Sequence, residues 1–454
     1  MDPLELLGLD PSRESEVILT GEGAFTPGDI LERASAVAAV LVSGGAGGRP
    51  AIVNMDASVG FAAGLIGSWL AGCVPILLDP LVKDELQRAV DRTGAGAVIR
   101  GAMSSGHVPE GVLLVTPDGA RGPRGRTASS IEGSEPILYL FTSGSTGQPA
   151  LVPKTFEQVD VERRFISGLL GGPRRVATLV PWCHIFGFLF SFLVPLRGGG
   201  VCDLSAGISP RAALEKARAG EVDLVVAVPA IYRVMIRILE DEGRGPIASG
   251  CRFASSGATL PDDVRGRFEE ASGVRIHDFY GSTEAGGVAY RCDSGPWRVE
   301  PHVDWRISPD GHLEVSSPSV SAAANASGGF YRLGDLVEAA EDGFVLNGRA
   351  DDVVKIGGRR ISLDEIQGVV ESCPGVDRAA VLARPVRGVN RIISCVVAEK
   401  GGVTPAGIKA HVRARLADHK VPRVVVLLEQ IPTTPAGKVD RPALENMLEE
   451  REKN

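Results

Sequence analysis

The feature that most constrains this chain is the alternation of continuous apolar runs with helical patterns over its first 300 residues. AIVNM (51–55) and VPILLD (74–79) read as strands, with a helix pattern between them that runs to about Ala71. KDELQRAVDRTG (83–94) is an amphipathic helix, and GAVIRG follows it. DLVVAVPA (223–230) precedes the helical IYRVMIRILEDEG, and CRFASSG (251–257) precedes PDDVRGRFEEASG, with Pro261 near the first turn. RIHDFYGSTEAGG then repeats the strand-to-loop design. Apolar strands alternating with helices predict an α/β fold of mainly parallel sheets flanked by helices. Ligands in such folds sit beyond the carboxyl ends of strands. The loops expected at 142–147, 255–259 and 281–287 all occupy that position.

From about residue 300 the pattern changes. HLEVSSP, LVEAAEDGFVLNG and VVKIGG read as short strands of a small β-barrel-like part, and Asp342-Gly343 suits a tight hairpin turn. Past Ala350 a small α+β unit is expected. Its helix 362–373 follows Ser362, with Glu365 at capping-box spacing. Strands near 379–384 and 393–400, a helix near 405–417 and the strand VPRVVVLL complete it. The expected domains are therefore 1–350 and 351–454. GGAGG (44–48) and SAAANASGG (321–329) read as loops, the second potentially mobile.

Composition excludes several classes. With 454 residues, 44% hydrophobic and 23% charged, the chain is an ordinary globular protein of two or more domains. Its net charge of −8 argues against a nucleic-acid or anionic-membrane surface. Seven scattered cysteines form no CxxC, as expected of buried thiols in a reducing compartment, and a cytoplasmic location is expected. There is no HExxH, and no zinc site is expected. The start, MDPLELLGLD, shows no secretory signal. Phe61 to Leu78 is eighteen residues without a charge, but its glycines and Pro75 divide it into a helix and a strand, so no membrane span is expected.

The stretch LFTSGSTGQPALVPKT (140–155) runs from an apolar segment into four hydroxyls and two glycines. It reads either as a flexible surface turn or as a phosphate cradle. In a cradle, glycines let backbone N–H groups approach an anion, and hydroxyls and a lysine add donors and charge. It is not the GxxxxGK[ST] P-loop.

Four further segments follow in order: FYGSTEAGG (279–287), YRLGDLV (331–337), GRADDVVKIGGRRISLDEI (348–366) and PTTPAGKVDR (432–441). Together with LFTSGSTG they resemble the adenylate-forming (ANL) superfamily of acyl- and aryl-CoA synthetases, peptide-synthetase adenylation domains and firefly luciferase. The resemblance covers roughly 30 to 450. It implies ATP-dependent activation of a carboxylic acid to acyl-AMP with release of pyrophosphate, then transfer to a thiol. The acceptor implied first is coenzyme A. The alternative is the phosphopantetheine of an acyl or aryl carrier protein, and a remote alternative is a non-catalytic adenylate-binding protein.

The resemblance also implies roles. Thr142, Ser143, Gly144, Ser145, Thr146 and Gly147 would embrace the ATP β- and γ-phosphates. Where the family usually has Pro-Lys-Gly, this chain has Pro149-Ala150-Leu151, and its lysine comes at Lys154. Lys154 either supplies the missing charge or is merely solvated. Tyr280, with Gly281 after it, resembles the aromatic that stacks on adenine. Thr283 resembles the α-phosphate contact and Glu284 the Mg²⁺ ligand. Asp335 resembles the carboxylate that accepts both ribose hydroxyls, as an acceptor-only group can. Arg349 resembles the arginine bridging ribose and phosphate. Lys438 resembles the lysine that stabilises growing charge on the α-phosphate. Asp351 matches the hinge about which a mobile C-terminal domain rotates, bringing a face near Gly357 and Gly358 toward the thiol. Arg359 and Arg360 either pair with coenzyme A phosphates or an acidic carrier, or are plain surface arginines.

PWCHIFGF (181–188) matches the P-x-x-H-x-x-G pattern of acyl and aryl members, in which His184 would line the acid tunnel; a packed core histidine is the other reading. No aspartate falls between 181 and 192 to pair with an ammonium, which favours an acid without an α-amino group. FLFSFLVPL lines a pocket or packs the core. Ser256, Gly257 and Ala258 resemble the loop flanking the adenylate. A monomer or homodimer is expected.

Overall fold

The computed structural model describes residues 3–21, 23–80, 85–101, 107–117, 134–142, 150–207, 209–242, 247–248, 250–322, 324, 326–350, 353–356, 359–386, 389–399, 402–433 and 439–453. The chain divides into two compact units. One comprises Met1–Ser294, Glu300–Val303 and Ser316–Asn325; the other comprises Gly295–Val299, Asp304–Val315 and Ala326–Asn454.

The first unit is α/β, as the alternation predicts. One sheet runs in the order Leu113–Val115, Ala97–Ile99, Ala51–Val53, Pro75–Leu77, Pro136–Thr142 and Ala150–Thr155. All neighbours are parallel except the last pair. The uncharged run from Phe61 becomes the helix Val59–Leu70, capped by the Ser58 side chain and buried along its whole length. Gly67 lets it approach the helix Pro27–Ser43, because a Cβ there would stand 2.7 Å from the Ala34 carbonyl oxygen. Among the described residues no helix is long and apolar enough to cross a membrane.

Eight strands of a second sheet run in the order Gly286–Arg291, Ile276–Ser282, Arg252–Ser255, Leu224–Ala227, Arg175–Thr178, Val201–Asp203, Ile18–Thr20 and Gly23–Phe25. The two outer pairs are antiparallel and the rest parallel. FLFSFL turns out to be a π-helical turn, Phe188–Leu193, embedded in the core. Phe192 packs 4.7 Å from Trp182 and Phe190 packs 4.6 Å from Phe279. Ser191 is the one polar residue in the turn, and its hydroxyl donates 2.8 Å to the Gly187 carbonyl. That satisfies the buried group.

In the second unit, Phe330–Ala340 pairs with His312–Ser316, Ala326–Ser327 and Gly343–Arg349. The hairpin turn falls at 341–342, beside Gly343 with φ 141°. Further on, Val376–Val386 and Val389–Ala398 pair antiparallel, and Val424–Leu428 joins in parallel. Successive residues of this sheet face opposite sides. Ala379 and Val381 pack with Ile366, Val370 and Ile408, while Ala380 and Leu382 pack with Leu444 and Leu448 of the helix Arg441–Lys453. Burying each such leucine contributes about 2 kcal/mol. The capping box expected at Ser362 is half made. Ser362 accepts from the Glu365 N–H at 3.3 Å, but the Glu365 carboxylate takes a 2.7 Å bond from Lys420 instead of turning back to the cap.

Candidate active site

Two antiparallel strand pairs of the first unit carry Thr142, Lys154, Tyr280, Gly281, Thr283 and Glu284 among the described sequence-predicted residues. Pro136–Thr142 and Ala150–Thr155 face each other with Thr142 opposite Ala150. Thr142 therefore ends a strand. Ser143, Gly144, Ser145, Thr146 and Gly147 lie outside the described residues, as do Asp351, Gly357, Gly358 and Lys438. Arg359 and Arg360 begin the strand Arg359–Ser362.

The segment 281–287, expected as an open loop, is instead the tight end of a hairpin. Ile276–Ser282 and Gly286–Arg291 pair antiparallel, leaving only 283–285 to turn. A register shift falls between Tyr280 and Gly281. A Cβ on Gly281 would stand 2.2 Å from the Gly286 carbonyl oxygen, so glycine is required there. Thr283 and Glu284 sit half-buried in the turn. The Ser282 hydroxyl accepts from the Ala285 N–H at 3.1 Å, and the Glu284 carbonyl accepts from the Ser321 N–H at 2.7 Å.

A buried polar network supports this turn. Lys154 is 0% exposed and donates 2.8 Å to the Ser319 carbonyl. The reading of Lys154 as a solvated lysine is therefore corrected: its position on a strand and the covering segment 319–321 take it out of water. Gln158 donates 2.7 Å to the Val320 carbonyl, and the Ser321 hydroxyl donates 2.9 Å to the Pro153 carbonyl. The tract 321–329 thus starts from an anchored residue. Glu162, one helical turn beyond Gln158, accepts from the Gly287 N–H at 2.8 Å. Burial pushes the Glu162 carboxyl up, and the Lys154 charge is the largest influence opposing it. Burial pushes the Lys154 ammonium down, and Glu162 and Glu284 oppose that. Glu300 is raised well above the usual carboxylate range by burial and by Glu162.

The Ser256 hydroxyl donates 2.9 Å to the Phe279 carbonyl, and Gly257 has φ 86° with its neighbour Ala258 exposed. This loop therefore follows the strand end as expected.

His184 is not a packed core histidine. Its side chain is 35% exposed and its Nε2 lies 3.1 Å from the Asp79 carboxylate. Asp79 is the last residue of VPILLD, just beyond the strand Pro75–Leu77. The Asp79, Cys183 and His184 donor atoms all lie within 4.8 Å of one another. Burial pushes the Cys183 thiol well up, reinforced by Asp79 and Asp56. Burial and Asp79 also raise Asp56. The glycine of P-x-x-H-x-x-G has a geometric reason: a Cβ on Gly187 would stand 2.0 Å from the Pro181 carbonyl oxygen. The motif is a closed backbone contact that presents His184.

In the second unit, Asp335 and Arg349 are direct partners across the antiparallel pair Phe330–Ala340 and Gly343–Arg349. Both are half-buried. The Ala350 N–H donates 2.7 Å to the Gly334 carbonyl, which fixes the end of that pairing.

The model of the family described as AMP-binding enzyme matches residues 11–316, and that of the AMP-binding enzyme C-terminal domain matches residues 365–438. The chain belongs to this family. It is 25% identical over 504 aligned positions to the 3-hydroxybenzoate–CoA ligase of Aromatoleum sp. (strain CIB), covering 96% of this chain and 94% of that one. It is 28% identical over 344 positions to the sulfoacetate–CoA ligase of Cupriavidus necator, covering 68% and 67%. ATP-bound MatB from Rhodopseudomonas palustris shares the fold with a TM-score of 0.83 at 20% identity, covering 100% and 99%.

Asp79, Glu162 and Glu300 are residues that sequence reasoning missed. The contacts of Asp79 with His184 and of Glu162 with Gly287 span 105 and 125 residues, so no local pattern marks those two.

Proposed function

We propose that this AMP-binding enzyme is an ATP-dependent acid–thiol ligase that activates a carboxylic acid, aryl acids foremost, to acyl-AMP and transfers the acyl group to coenzyme A. The observation that carries this reading is the 3-hydroxybenzoate–CoA ligase aligned from end to end with this chain.

The chemistry assigns work to particular residues. Attack of a carboxylate on the α-phosphate adds negative charge there and on departing pyrophosphate, so donors must already be in place. In this reading the 142–147 segment cradles the β- and γ-phosphates, and Thr283 contacts the α-phosphate. Tyr280 stacks on adenine beside Gly281. Asp335 accepts the ribose hydroxyls and Arg349 steadies that carboxylate. Ser256, Gly257 and Ala258 flank the adenylate. His184, held by Asp79, lines the acid path. The half-buried Glu284 carboxylate, flanked by the hydroxyls of Ser282 and Thr283, offers the hard oxygen donors that suit Mg²⁺. Bound there, Mg²⁺ would supply charge neutralisation for the phosphates. Lys438 serves adenylation, and rotation of a C-terminal domain near Asp351 withdraws it and brings the Gly358 face to the thiol.

ATP–pyrophosphate exchange against benzoates, hydroxybenzoates, cinnamates, fatty acids and amino acids tests the first half. Exchange with aryl acids, followed by thioester formation with coenzyme A, is the expected outcome. No exchange with any acid by folded protein overturns the reading; thioester formation only on a carrier protein overturns its second half. Lys438→Ala is expected to cut adenylation by roughly 100-fold or more, as loss of one transition-state charge contact does. Thiolysis of supplied acyl-AMP should survive. Equal loss in both half-reactions would remove the domain rotation.

A further inference from the structure

We propose that Lys154 and Glu162 are positioning residues: two buried charged side chains, each bonded to backbone, that fix the Ser282–Ala285 turn so that Glu284 meets a divalent cation. This rests on the reading of Glu284 as that cation's ligand and gives Lys154 a role other than touching phosphate.

Three observations converge. The first is burial without a structural need for charge. Lys154 is 0% and Glu162 3% exposed. Taking such groups out of water is costly, and apolar replacements of a buried pair are often neutral or stabilising. Stability alone does not account for an ammonium here. The second is direction. Lys154 fastens the segment at Ser319, and two residues later the Ser321 N–H holds the Glu284 carbonyl. Glu162 holds the other side of the turn through the Gly287 N–H. The pair thus acts on the backbone at Glu284 itself, through the segment 319–321, and at Gly287 just past the turn. The third is that no slack remains. Gly286 has φ 77°, and a Cβ on it would stand 2.6 Å from both the Glu162 Oε1 and the Ser319 Cβ.

Lys154 also acts by charge. Glu162 and Glu284 are the two anions that oppose its desolvation. Among the described salt bridges Lys154 appears in none, so its charge reaches Glu162 and Glu284 at longer range than a direct ion pair.

The experiment uses the full chain with Mn²⁺ as the probe and a non-hydrolysable ATP analogue. Free Mn²⁺ is counted by electron paramagnetic resonance, and ATP–pyrophosphate exchange is titrated with Mg²⁺ in parallel. Lys154→Met is expected to weaken Mn²⁺ binding about tenfold, equivalent to ~1.4 kcal/mol. The Mg²⁺ midpoint of exchange should rise alike, with a smaller fall in maximal rate. Glu162→Gln should shift both in the same direction by less. The double variant should be no worse than Lys154→Met, because both residues act through one turn. Lys154→Arg should recover part of the affinity. Unchanged Mn²⁺ affinity in folded Lys154→Met overturns the proposal. Should that variant not fold, unchanged affinity in Glu162→Gln overturns it. Wild-type protein that binds nucleotide but no Mn²⁺ overturns the reading of Glu284 itself, and the proposal with it.

Discussion

Two hairpins each bring one carboxylate to the nucleotide in the proposed mechanism, and they hold it in different ways. The Ile276–Arg291 hairpin carries Glu284 in a three-residue turn fastened from beneath by Glu162, Lys154 and the segment 319–321. The Phe330–Arg349 hairpin carries Asp335 in mid-strand, opposite Arg349, both half-buried. One carboxylate owes its place to buried charges from distant sequence. The other owes it to the register of one antiparallel strand pair, which shifts between Asp335 and Val337. A turn held by buried polar groups is rigid but fails abruptly when one support goes, because each support left unpaired carries its own desolvation cost. A register-held side chain loses only its own contacts.

The largest expected effect tests that difference with two glycine substitutions. Gly286→Ala combines a left-handed φ with a clash against Glu162 and Ser319, and is expected to cost about 3 kcal/mol or more of stability. Gly334→Ala also meets a close neighbour, the Arg349 Nη2 at 2.8 Å, but that is the end of a long side chain. It should cost under about 1 kcal/mol. Urea unfolding of both variants measures the contrast, and equal losses would break it. Next, Asp335→Ala is expected to raise the ATP requirement of exchange roughly tenfold, the loss of one charge-assisted contact, with stability nearly unchanged. An unchanged ATP dependence would remove Asp335 from the nucleotide site.

His184 and Asp79 supply a smaller effect. Asp79→Asn should raise the KM for the acid about threefold by weakening the hold on the imidazole, within the range of one neutral hydrogen bond; kcat should move less. Titration gives the smallest. Asp278, in the first hairpin, is raised to about 6 by burial, against the opposing pull of Arg265 and Arg291. The folded state therefore binds this proton more tightly than the unfolded chain does. Its contribution to stability is complete below about pH 4 and is lost as pH rises through about 6. Wild-type stability relative to Asp278→Asn should fall across that window and be flat above it. A flat difference throughout would show that Asp278 is ionised in the fold at all these pH values.

Much of the architecture was legible in the sequence because it follows from local pattern. Buried parallel strands are apolar without interruption, and the helix cap at Ser362 was readable from its spacing to Glu365. The strand Ala150–Thr155 was not legible, since Pro149 and Pro153 interrupt its pattern; Pro153 is tolerated because the strand ends the sheet. The strands Ile18–Thr20 and Gly23–Phe25 are three residues each, too short for periodicity. The site motifs were readable as text, yet the turn at 283–285 looked like a loop because Gly286 and Gly287 belong to a strand. The residues beneath the turn left no local sign, since their partners are brought in by topology.

The burial of Lys154 has a chemical consequence as well. Acyl adenylates acylate free amines, and an enzyme that makes them is bathed in its own reagent. An ammonium with no solvent-accessible surface, already donating to the Ser319 carbonyl, is beyond the reach of that reagent. Self-modification during turnover should therefore mark the exposed lysines of the chain and leave this one bare, preserving the charge that the turn above it depends on.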